Sequence, residues 1–371
     1  MVSQKQRSYT FLFYDINRLN FFKYTPTLLE ELSKDASIKV VLCYEEDTKD
    51  AKALEFLNRF ENISVGLFKS IKSVVRKHKP DIVVVNAQRI PDSLLVAYAN
   101  KRNIPTVMIQ HGMYNGHLKR VNELYIRKLY KTFKYILYSM QVGLVTKRNP
   151  ITTALKFIKT FSLRQSYKDL FEDNELIYSQ NVHVYGNYWV DYHTSFFGYS
   201  ADRSKFEVVG YPELSRKLSD EKINFCYIAQ SLYEDGRITT QELGKALTIL
   251  KTLSKEASLV VKRHPRSIDK LYEDFDLPIT NSMPDADVYI GHYSSLLALP
   301  MALGKKVGLI PLEGHDIPDY FEMCGHMTST ADELTALLHG DFDAKDINQV
   351  FEFPKSSKEY KELLLSIISN E

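Results

Sequence analysis

Residues 285–312, DADVYIGHYSSLLALPMALGKKVGLIPL, are the stretch of this chain that decides the fold. A short apolar strand ends at Gly291, the adjacent hydroxyls of Ser294 and Ser295 open an apolar helix, and a second strand follows Gly304. In α/β proteins this pattern is typical of phosphate sites, because backbone N–H groups and the helix dipole face the anion and hydroxyls add donors. The stretch therefore predicts a parallel sheet with a phosphate site at a strand end.

A second strand end, upstream, carries a basic loop. Residues 259–266 have the sequence LVVKRHPR, an apolar strand followed by His264 with an arginine on either side of the His-Pro pair. Pro265 fixes the turn, and an imidazole between two guanidinium groups is well suited to neutralising a leaving phosphate. We predict that His264 binds the same phosphate as the two serines, from a neighbouring strand end. Together the two strand ends indicate a site for an activated, phosphate-bearing donor.

Length and composition are those of a two-domain globular protein. The chain has 371 residues, of which 44% are hydrophobic, and a net charge of +2 that does not indicate nucleic-acid binding. Its three cysteines are too few and too scattered for a disulfide framework or a metal site. The chain shows neither a signal-peptide pattern nor an apolar stretch of about 20 residues, so we predict a cytoplasmic protein.

Strands and helices alternate with short connections in both halves of the chain, which predicts an α/β fold of two doubly wound domains facing across a cleft. A helical segment interrupts the first half, and the polar run at 215–222 indicates a linker. The predicted domains are 1–214, with a basic insertion at about 119–175; 215–353, the nucleotide-donor domain; and 354–371, a C-terminal helix for which docking on the first domain is one arrangement.

The insertion has an unusual charge pattern. Between residues 119 and 168 there are twelve Lys or Arg residues, interleaved with aromatics, and one acid, Glu123. Such helices are suited to an anionic membrane surface, so we predict peripheral contact with the inner face of the cytoplasmic membrane through 119–168. Helices with a solvated basic face and an apolar stripe that packs into the core explain the pattern as well. No nucleic-acid-binding motif accompanies the charge, so we predict no nucleic-acid partner.

One strand end in the first domain carries a histidine. The strand at 105–109 runs into Gln110, His111 and Gly112, and the glycine permits a sharp turn that presents the imidazole. A neutral histidine near its ordinary pKa suits a general base, although a structural histidine at the turn is the alternative. Asp15, after the first strand, is predicted to face the acceptor, the molecule that receives the group carried by the donor. Gln110 and Gly112 are predicted to face it as well.

Polar residues also follow the strands of the second domain. The predicted donor-binding residues are Gln230, Ser231, Arg263, His264, Pro265, Ser294, Ser295 and Glu313. Glu234 and Asp235 are an alternative base, and a turn with a helix cap explains them equally. With no D-x-D pair at a strand end and no Cys/His cluster, we predict no metal and no cofactor. P-loop and dinucleotide fingerprints are absent, which argues against a P-loop ATPase and a nicotinamide enzyme.

The His-Pro pair at 264–265 and the Ser-Ser pair at 294–295 resemble the HP and SS motifs of bacterial sialyltransferases, polysialyltransferases and capsule Kdo transferases. The resemblance implies a GT-B fold of two Rossmann-like domains, an inverting metal-independent reaction, and binding of CMP by both motifs. The chain departs from the sialyltransferases in one respect. Their acidic-acidic-Gly motif lies in the first domain, whereas residues 234–236 lie in the second, so either His111 is the base or the donor is not a sialic acid.

His111 and Gly112 are also similar to the His-Gly motif that CDP-glycerol glycerophosphotransferases pair with a downstream His-Pro. Together the resemblances imply a glycosyltransferase that moves an acidic sugar (Kdo, sialic acid or a related nonulosonate) from a CMP-sugar to a hydroxyl of a bacterial surface glycan, such as capsule, O-antigen or lipooligosaccharide. The implied partners are the nucleotide-sugar and a glycan or glycolipid acceptor. The alternatives are a CDP-glycerol or CDP-ribitol transferase, a UDP-sugar GT-B enzyme, a nucleotide-sugar epimerase and a non-catalytic glycan-binding protein.

Overall fold

The structure, a computed structural model, describes residues 8–66, 70–113, 125–163, 175–200, 206–264, 266–313, 317–340 and 347–369. The chain forms two compact units. The first holds Met1–His111, Ile126–Gly210 and Pro354–Glu371, and the second holds Gly112–Tyr125 and Tyr211–Phe353. The chain therefore changes unit after Gly210, four residues before the predicted boundary.

The described residues of the first unit form a seven-stranded parallel sheet in the order β3-β2-β1-β4-β5-β6-β7. Every residue of β4 and β5 is buried, which explains why these strands are continuous apolar runs in the sequence. The strands are β1 (Tyr9–Asn17), β2 (Ile38–Glu46), β3 (Glu61–Ser64), β4 (Ile82–Val85), β5 (Thr106–Ile109), β6 (Asn181–Val184) and β7 (Phe206–Val208).

Helices flank this sheet, and the last helix of the chain packs into the same core. Leu364 and Ile368 of this C-terminal helix lie in the hydrophobic cluster that β1, β2 and the helix Pro26–Ser33 build. The helices of the unit are α1 (Leu19–Tyr24), α2 (Pro26–Ser33), α3 (Ala51–Leu57), α4 (Ile71–His78), α5 (Ile90–Asn100), α6 (Tyr125–Val145), α7 (Pro150–Leu163), α8 (Tyr188–Tyr192) and the C-terminal α14 (Ser357–Ser369).

The second unit has a parallel sheet of six strands among the residues described, in the order β10-β9-β8-β11-β12-β13. Its strands are β8 (Ser219–Ile228), β9 (Leu259–Lys262), β10 (Ile279–Thr280), β11 (Pro284–Gly291), β12 (Lys306–Leu309) and β13 (His326–Met327). Its helices are α9 (Thr240–Glu256), α10 (Lys270–Glu273), α11 (Ala298–Ala302), α12 (Asp319–Cys324) and α13 (Ala331–His339).

Two local predictions for this unit are wrong. The polar run predicted as a linker contains the start of β8, because Ser219 and Lys222 pair with the beginning of β11. The helix predicted from Ser294 to Gly304 is a 3-10 turn, Ser295–Leu297, followed by the five-residue α11. Because this helix is short, its dipole at the serines is smaller than the dipole of the longer helix that the sequence predicts.

Both sheets are doubly wound, as predicted. In each, the strand order reverses beside the first strand of the unit, between β1 and β4 in the first sheet and between β8 and β11 in the second. In open α/β sheets, ligands bind outside the carboxyl ends of the strands at this switch point. Each unit thus has one edge at which a ligand site is expected.

The long helix α6 is tied to the first sheet by a buried ionic cluster. The Glu45 carboxylate at the end of β2 accepts hydrogen bonds from the hydroxyls of Tyr14 and Tyr138, both at 2.7 Å, and forms an ion pair with Lys134. Lys134 of the basic segment therefore points into the protein rather than towards solvent. None of the helices in the described part of the chain is both long and apolar enough to cross a bilayer.

Replacing Glu45 with alanine would leave the Lys134 ammonium buried without its counter-ion. Their side chains are only 1% and 11% exposed, and removing one member of a buried pair costs about 3–5 kcal/mol. We therefore expect the free energy of unfolding in urea to fall by about 3 kcal/mol. Exposed Glu46, the next residue, is the control, and Glu46→Ala should stay within about 0.5 kcal/mol of wild type. Equal stability of the two variants would contradict the buried pair.

Candidate functional site

The carboxyl ends of β1 and β4 hold a buried polar cluster centred on Asp15. Its side chain has no solvent exposure. It accepts hydrogen bonds from the side-chain amides of Asn20 (2.8 Å) and Asn86 (3.1 Å), and it lies 3.4 Å from a guanidinium nitrogen of Arg89. Asn86 directly follows β4, and Arg89 is the residue before α5 in the same loop. The cluster therefore occupies the switch point of the first sheet.

These contacts determine the charge of Asp15. Burial alone raises the pKa of this carboxyl, but Arg89, His111 and the hydrogen bond from Asn20 outweigh it and lower the pKa below its usual value. Arg89 also forms a two-point ion pair with Asp92, at 2.6 and 2.9 Å. Burial raises the pKa of Asp92 to about 6, with Arg89 opposing the rise. At neutral pH, Asp15 is thus a buried anion held by one shared cation.

His111 lies against this anion. Its Nδ1 atom is buried, has no hydrogen-bond partner among the described residues, and is 3.8 Å from an Asp15 oxygen. The ring packs edge-on against Tyr24, with centroids 4.5 Å apart, and 27% of the side chain is exposed. Gly112, which follows, has a φ of +60°, the left-handed backbone that the predicted turn requires.

The prediction that His111 has a pKa near the ordinary value for histidine is wrong. Burial lowers the pKa of this imidazole to about 4, although the neighbouring Asp15 opposes the shift. The ring is therefore neutral at pH 7. A neutral ring that directs Nδ1–H towards the Asp15 carboxylate carries its lone pair on Nε2, the atom that would accept a proton.

Gln110, the third predicted residue of this strand end, belongs to the framework. It is buried, its side-chain oxygen accepts a hydrogen bond from the backbone N–H of Tyr185 (3.1 Å), and its carbonyl accepts one from the Tyr185 hydroxyl (2.6 Å). These bonds join the ends of β5 and β6. Gln110 thus holds the turn that carries His111.

In the second unit the loop after β8, residues 229–237, is central because it bonds to both neighbouring strand ends. On one side, the Gln230 side-chain oxygen accepts a hydrogen bond from the backbone N–H of Tyr293, which follows β11 (3.1 Å). On the other side, Glu234 accepts a hydrogen bond from the backbone N–H of Ile268 (3.0 Å). Buried Ser231 donates to Asp235 within the loop at 3.2 Å.

The basic loop after β9 is held by three carboxylates. Arg266 pairs with Asp235 at 2.7 Å, and Arg263 pairs with Asp269 at 2.6 Å. Glu234, described above, is the third. Glu234 and Asp235, the alternative base, thus support the loop that carries His264. Pro265 lies outside the described residues.

The orientation of the His264 ring is partly determined within this loop. Its Nδ1 accepts a hydrogen bond from the backbone N–H of Arg266 at 3.2 Å. An accepting Nδ1 places the proton of a neutral ring on Nε2, so that Nε2–H is a donor. His264 therefore has the tautomer required to bind an anionic oxygen.

His264 and the two serines do not follow neighbouring strands, contrary to the prediction. Strand β8 lies between β9 and β11, which separates the two strand ends by two strand spacings, roughly 10 Å. The β8 loop bridges them. Ser294 caps the following 3-10 turn by accepting a hydrogen bond from the backbone N–H of Leu296 (3.3 Å), and Ser295 is exposed.

The remaining predictions fall outside this cluster. Glu313 is largely exposed and lies 3.4 Å from Lys245. Within the described ranges, no three His, Cys, Asp or Glu side chains are grouped to hold a metal ion. Surface cavities of about 420 and 540 Å³ lie at the opposite, amino-terminal edges of the two sheets, beside Lys306 and Tyr9 respectively, and contain none of the predicted site residues.

Sequence reasoning missed most of the residues that build the first cluster. Asn86 and Arg89 belong to the polar run NAQR that directly follows the buried strand β4, and this position at a strand end was the available signal. Asn20 lies in a helix and had no comparable signal. Tyr293, which is bonded through its backbone, could not be found from its side chain.

No protein-family model and no curated protein sequence matches the chain. Solved structures resemble it over nearly its whole length. The kitacinnamycin glycotransferase has a TM-score of 0.57 at 12% identity, covering 98% of this chain and 100% of that one. The glycosyltransferase VinC in complex with dTDP has a TM-score of 0.54 at 12% identity, with coverage of 98% and 100%. The Neisseria meningitidis UDP-GlcNAc 2-epimerase bound to UDP-GlcNAc has a TM-score of 0.54 at 13% identity, again covering 98% and 100%.

At these identities the likeness concerns the fold. Two parallel Rossmann-like sheets, in one chain of matching length, are common to this protein and its structural neighbours. The predicted α/β fold of the GT-B type is therefore confirmed.

Proposed function

We propose that the chain is a glycosyltransferase that uses a nucleotide-sugar donor. The observation that carries the proposal is the His111–Asp15 pair, a neutral imidazole beside a buried carboxylate at the switch point of the first sheet. The structural neighbours support it, because they include two glycosyltransferases and several complexes with nucleotides or nucleotide-sugars.

In the proposed reaction His111 is the general base. The hydroxyl oxygen of the acceptor forms a bond to the anomeric carbon of the donor sugar while its proton moves to Nε2 of His111. The bond from the anomeric carbon to the donor phosphate breaks, and its electron pair leaves with the phosphate oxygen. Such a direct displacement inverts the anomeric configuration. Asp15 acts as a positioning residue, because its charge favours the tautomer with the proton on Nδ1.

The second unit would stabilise the leaving nucleotide. His264 donates from Nε2, the guanidinium groups of Arg263 and Arg266 add positive charge, and the serines at 294–295 add hydroxyl donors. Charge-assisted hydrogen bonds of this kind stabilise a departing phosphate without a metal ion. Gln230 lies between these groups, since its loop is bonded to both strand ends. Buried Ser231 supports the same loop through its hydrogen bond to Asp235.

The finer proposal is that the donor is a CMP-linked acidic sugar and the acceptor a hydroxyl of a bacterial surface glycan at the cytoplasmic face of the membrane. It rests on the His-Pro and Ser-Ser pairs of the sequence. CDP-glycerol, CDP-ribitol and UDP-sugars are the competing donors, and the structural neighbours include complexes with UDP-GlcNAc and with dTDP.

The identity of the nucleotide can be tested without knowing the acceptor. A ligand that binds only the folded state stabilises it by about 2.7 kcal/mol at one hundred times its Kd, so the cognate nucleotide should raise Tm by several degrees. We expect CMP to produce the largest shift in a panel of CMP, CDP, UDP, GDP and dTDP. A larger shift with UDP or dTDP would replace the CMP donor, and the absence of any shift would contradict the enzyme.

His264→Ala should lower both the affinity for the nucleotide and the stabilisation of the transition state. Loss of one preorganised donor to a developing anion typically costs roughly 100-fold or more in kcat. We therefore expect at least that loss of turnover, together with a smaller Tm shift on adding nucleotide. His339 at the exposed end of α13 is the control, and His339→Ala should retain both. Wild-type turnover in His264→Ala would remove the assignment.

His111→Ala should lower kcat roughly 10²- to 10⁴-fold, the usual contribution of a general base, while nucleotide binding is retained.

Protonated His111 cannot accept a proton, so activity should be lost only as the pH falls through its pKa of about 4. An ordinary histidine, with a pKa of about 6.5, would already be mostly protonated at pH 5.5. His111 should therefore contribute no acid limb to kcat/KM between pH 7.5 and 5.5. The Asp92 carboxyl, with a pKa of about 6, is the group of the cluster that titrates in this range.

The variant Asp15→Asn tests whether Asp15 positions His111 or only stabilises the folded protein. The variant removes the charge that raises the pKa of His111, so any acid limb should move to still lower pH while kcat falls. Circular dichroism over the same pH range controls for unfolding. An acid limb near pH 6.5 that is unchanged in Asp15→Asn and His111→Ala would exclude this base.

Product analysis without acceptor distinguishes the neighbouring activities. A transferase needs the acceptor for net turnover, whereas an epimerase converts the nucleotide-sugar alone. Conversion of UDP-GlcNAc to its 2-epimer by this chain would overturn the transferase in favour of an epimerase like the Neisseria meningitidis neighbour.

A further inference from the structure

Helices α6 and α7 expose apolar side chains that a surface helix normally buries. On α7, Ile151, Leu155 and Ile158 recur at the i, i+4 and i+7 positions of one helical face, and the first two are 64% and 59% exposed. On α6, Tyr130, Phe133 and Leu144 are each more than half exposed. Each helix therefore has one apolar stripe packed into the unit and a second apolar stripe that faces outwards.

The charged side chains on the same two helices are all cations. The sequence from 125 to 163 contains no Asp or Glu. Four lysines are exposed: Lys131 on α6, Lys147 in the turn between the two helices, and Lys156 and Lys159 on α7. None of the four lies within ion-pair distance of an acidic side chain among the described residues. Lys159 follows Leu155 by one turn, so cations flank the outward stripe of α7.

We propose that this α6–α7 face, defined by the outward apolar stripes and these four lysines, binds the surface of an anionic lipid bilayer. Apolar side chains flanked by lysines suit the boundary between acyl chains and anionic headgroups. A second copy of the chain is the disfavoured occupant, because a symmetric dimer across this face would place lysines against lysines.

The attachment of α6 to the sheet makes the face a rigid platform. Glu45 holds the helix from inside through Lys134 and Tyr138, and α7 packs on α6 with the rings of Tyr135 and Phe157 6.1 Å apart. The inward contacts and the outward stripe lie on different sides of α6, so substitutions in the outward stripe leave the core unchanged.

Co-sedimentation of the full chain with vesicles tests the proposal without donor or acceptor, so its outcome is independent of the proposed reaction. We expect binding to phosphatidylcholine vesicles containing 30% phosphatidylglycerol (roughly the anionic fraction needed for a strong surface potential) and much weaker binding to pure phosphatidylcholine. Binding should weaken as salt is raised.

Two variants separate the charged and the apolar contributions. Each lysine near an anionic surface contributes roughly fivefold in affinity, so Lys147→Glu/Lys156→Glu/Lys159→Glu should bind roughly 100-fold or more weakly. Ile151→Ser/Leu155→Ser/Ile158→Ser should bind at least ~10-fold more weakly, because the inserted apolar area is lost.

A matched variant controls for net charge. Lys52, Lys72 and Lys77 are exposed lysines on α3 and α4 of the same unit, and their triple replacement by Glu changes the total charge equally. This control should bind vesicles within about threefold of wild type, since charges beyond a Debye length contribute little. Melting curves confirm that all variants are folded.

Three results would overturn the proposal. The first is the absence of binding to the anionic vesicles. The second is an equal loss of binding in the α6–α7 lysine variant and in its matched control. The third is a stable dimer of the wild-type chain in light scattering that dissociates in the Ile151/Leu155/Ile158 variant.

Discussion

A buried negative charge at the end of β1 is the constraint on which the first unit depends. Asp15 has no exposure, so its charge would be costly without compensation, and the chain supplies a guanidinium and two amides from the segments that follow β1 and β4. Meeting that requirement fixes the start of α5, the end of β4 and the position of α1. His111 is oriented as a consequence, because its ring lies against the same carboxylate.

In the second unit, hydrogen bonds rather than one buried ion hold the candidate site together. Its two candidate phosphate-binding loops follow strands that do not touch, since β8 lies between them. The β8 loop connects them through Gln230 on one side and Glu234 on the other. Carboxylates beside the basic loop also hold Arg263 and Arg266 in place, so the positive charges are positioned before any anion arrives. Preorganisation of this kind is what makes such groups effective on a leaving phosphate.

Strand positions in the sequence were informative because buried parallel strands are continuous apolar runs. The runs at β4, β5 and β9 were recognisable for this reason, and so were the polar residues that end them, including His111 and His264. Errors arose where a strand is amphipathic or a helix is short. The start of β8 is polar and exposed, which is also the pattern of a linker, and the stretch after Ser294 forms only a turn and a five-residue helix.

The apolar periodicity and strand-end chemistry of the sequence were thus sufficient to establish an α/β fold of two doubly wound units and to identify His111 and His264 as candidates, because both features are local. Only the tertiary structure decided which strand ends are neighbours, that Asp15 and Arg89 meet beside His111, and that burial lowers the pKa of this histidine to about 4. Strand order and burial depend on contacts between residues far apart in the chain, and no local pattern encodes the distance between two loops or the loss of water around a ring.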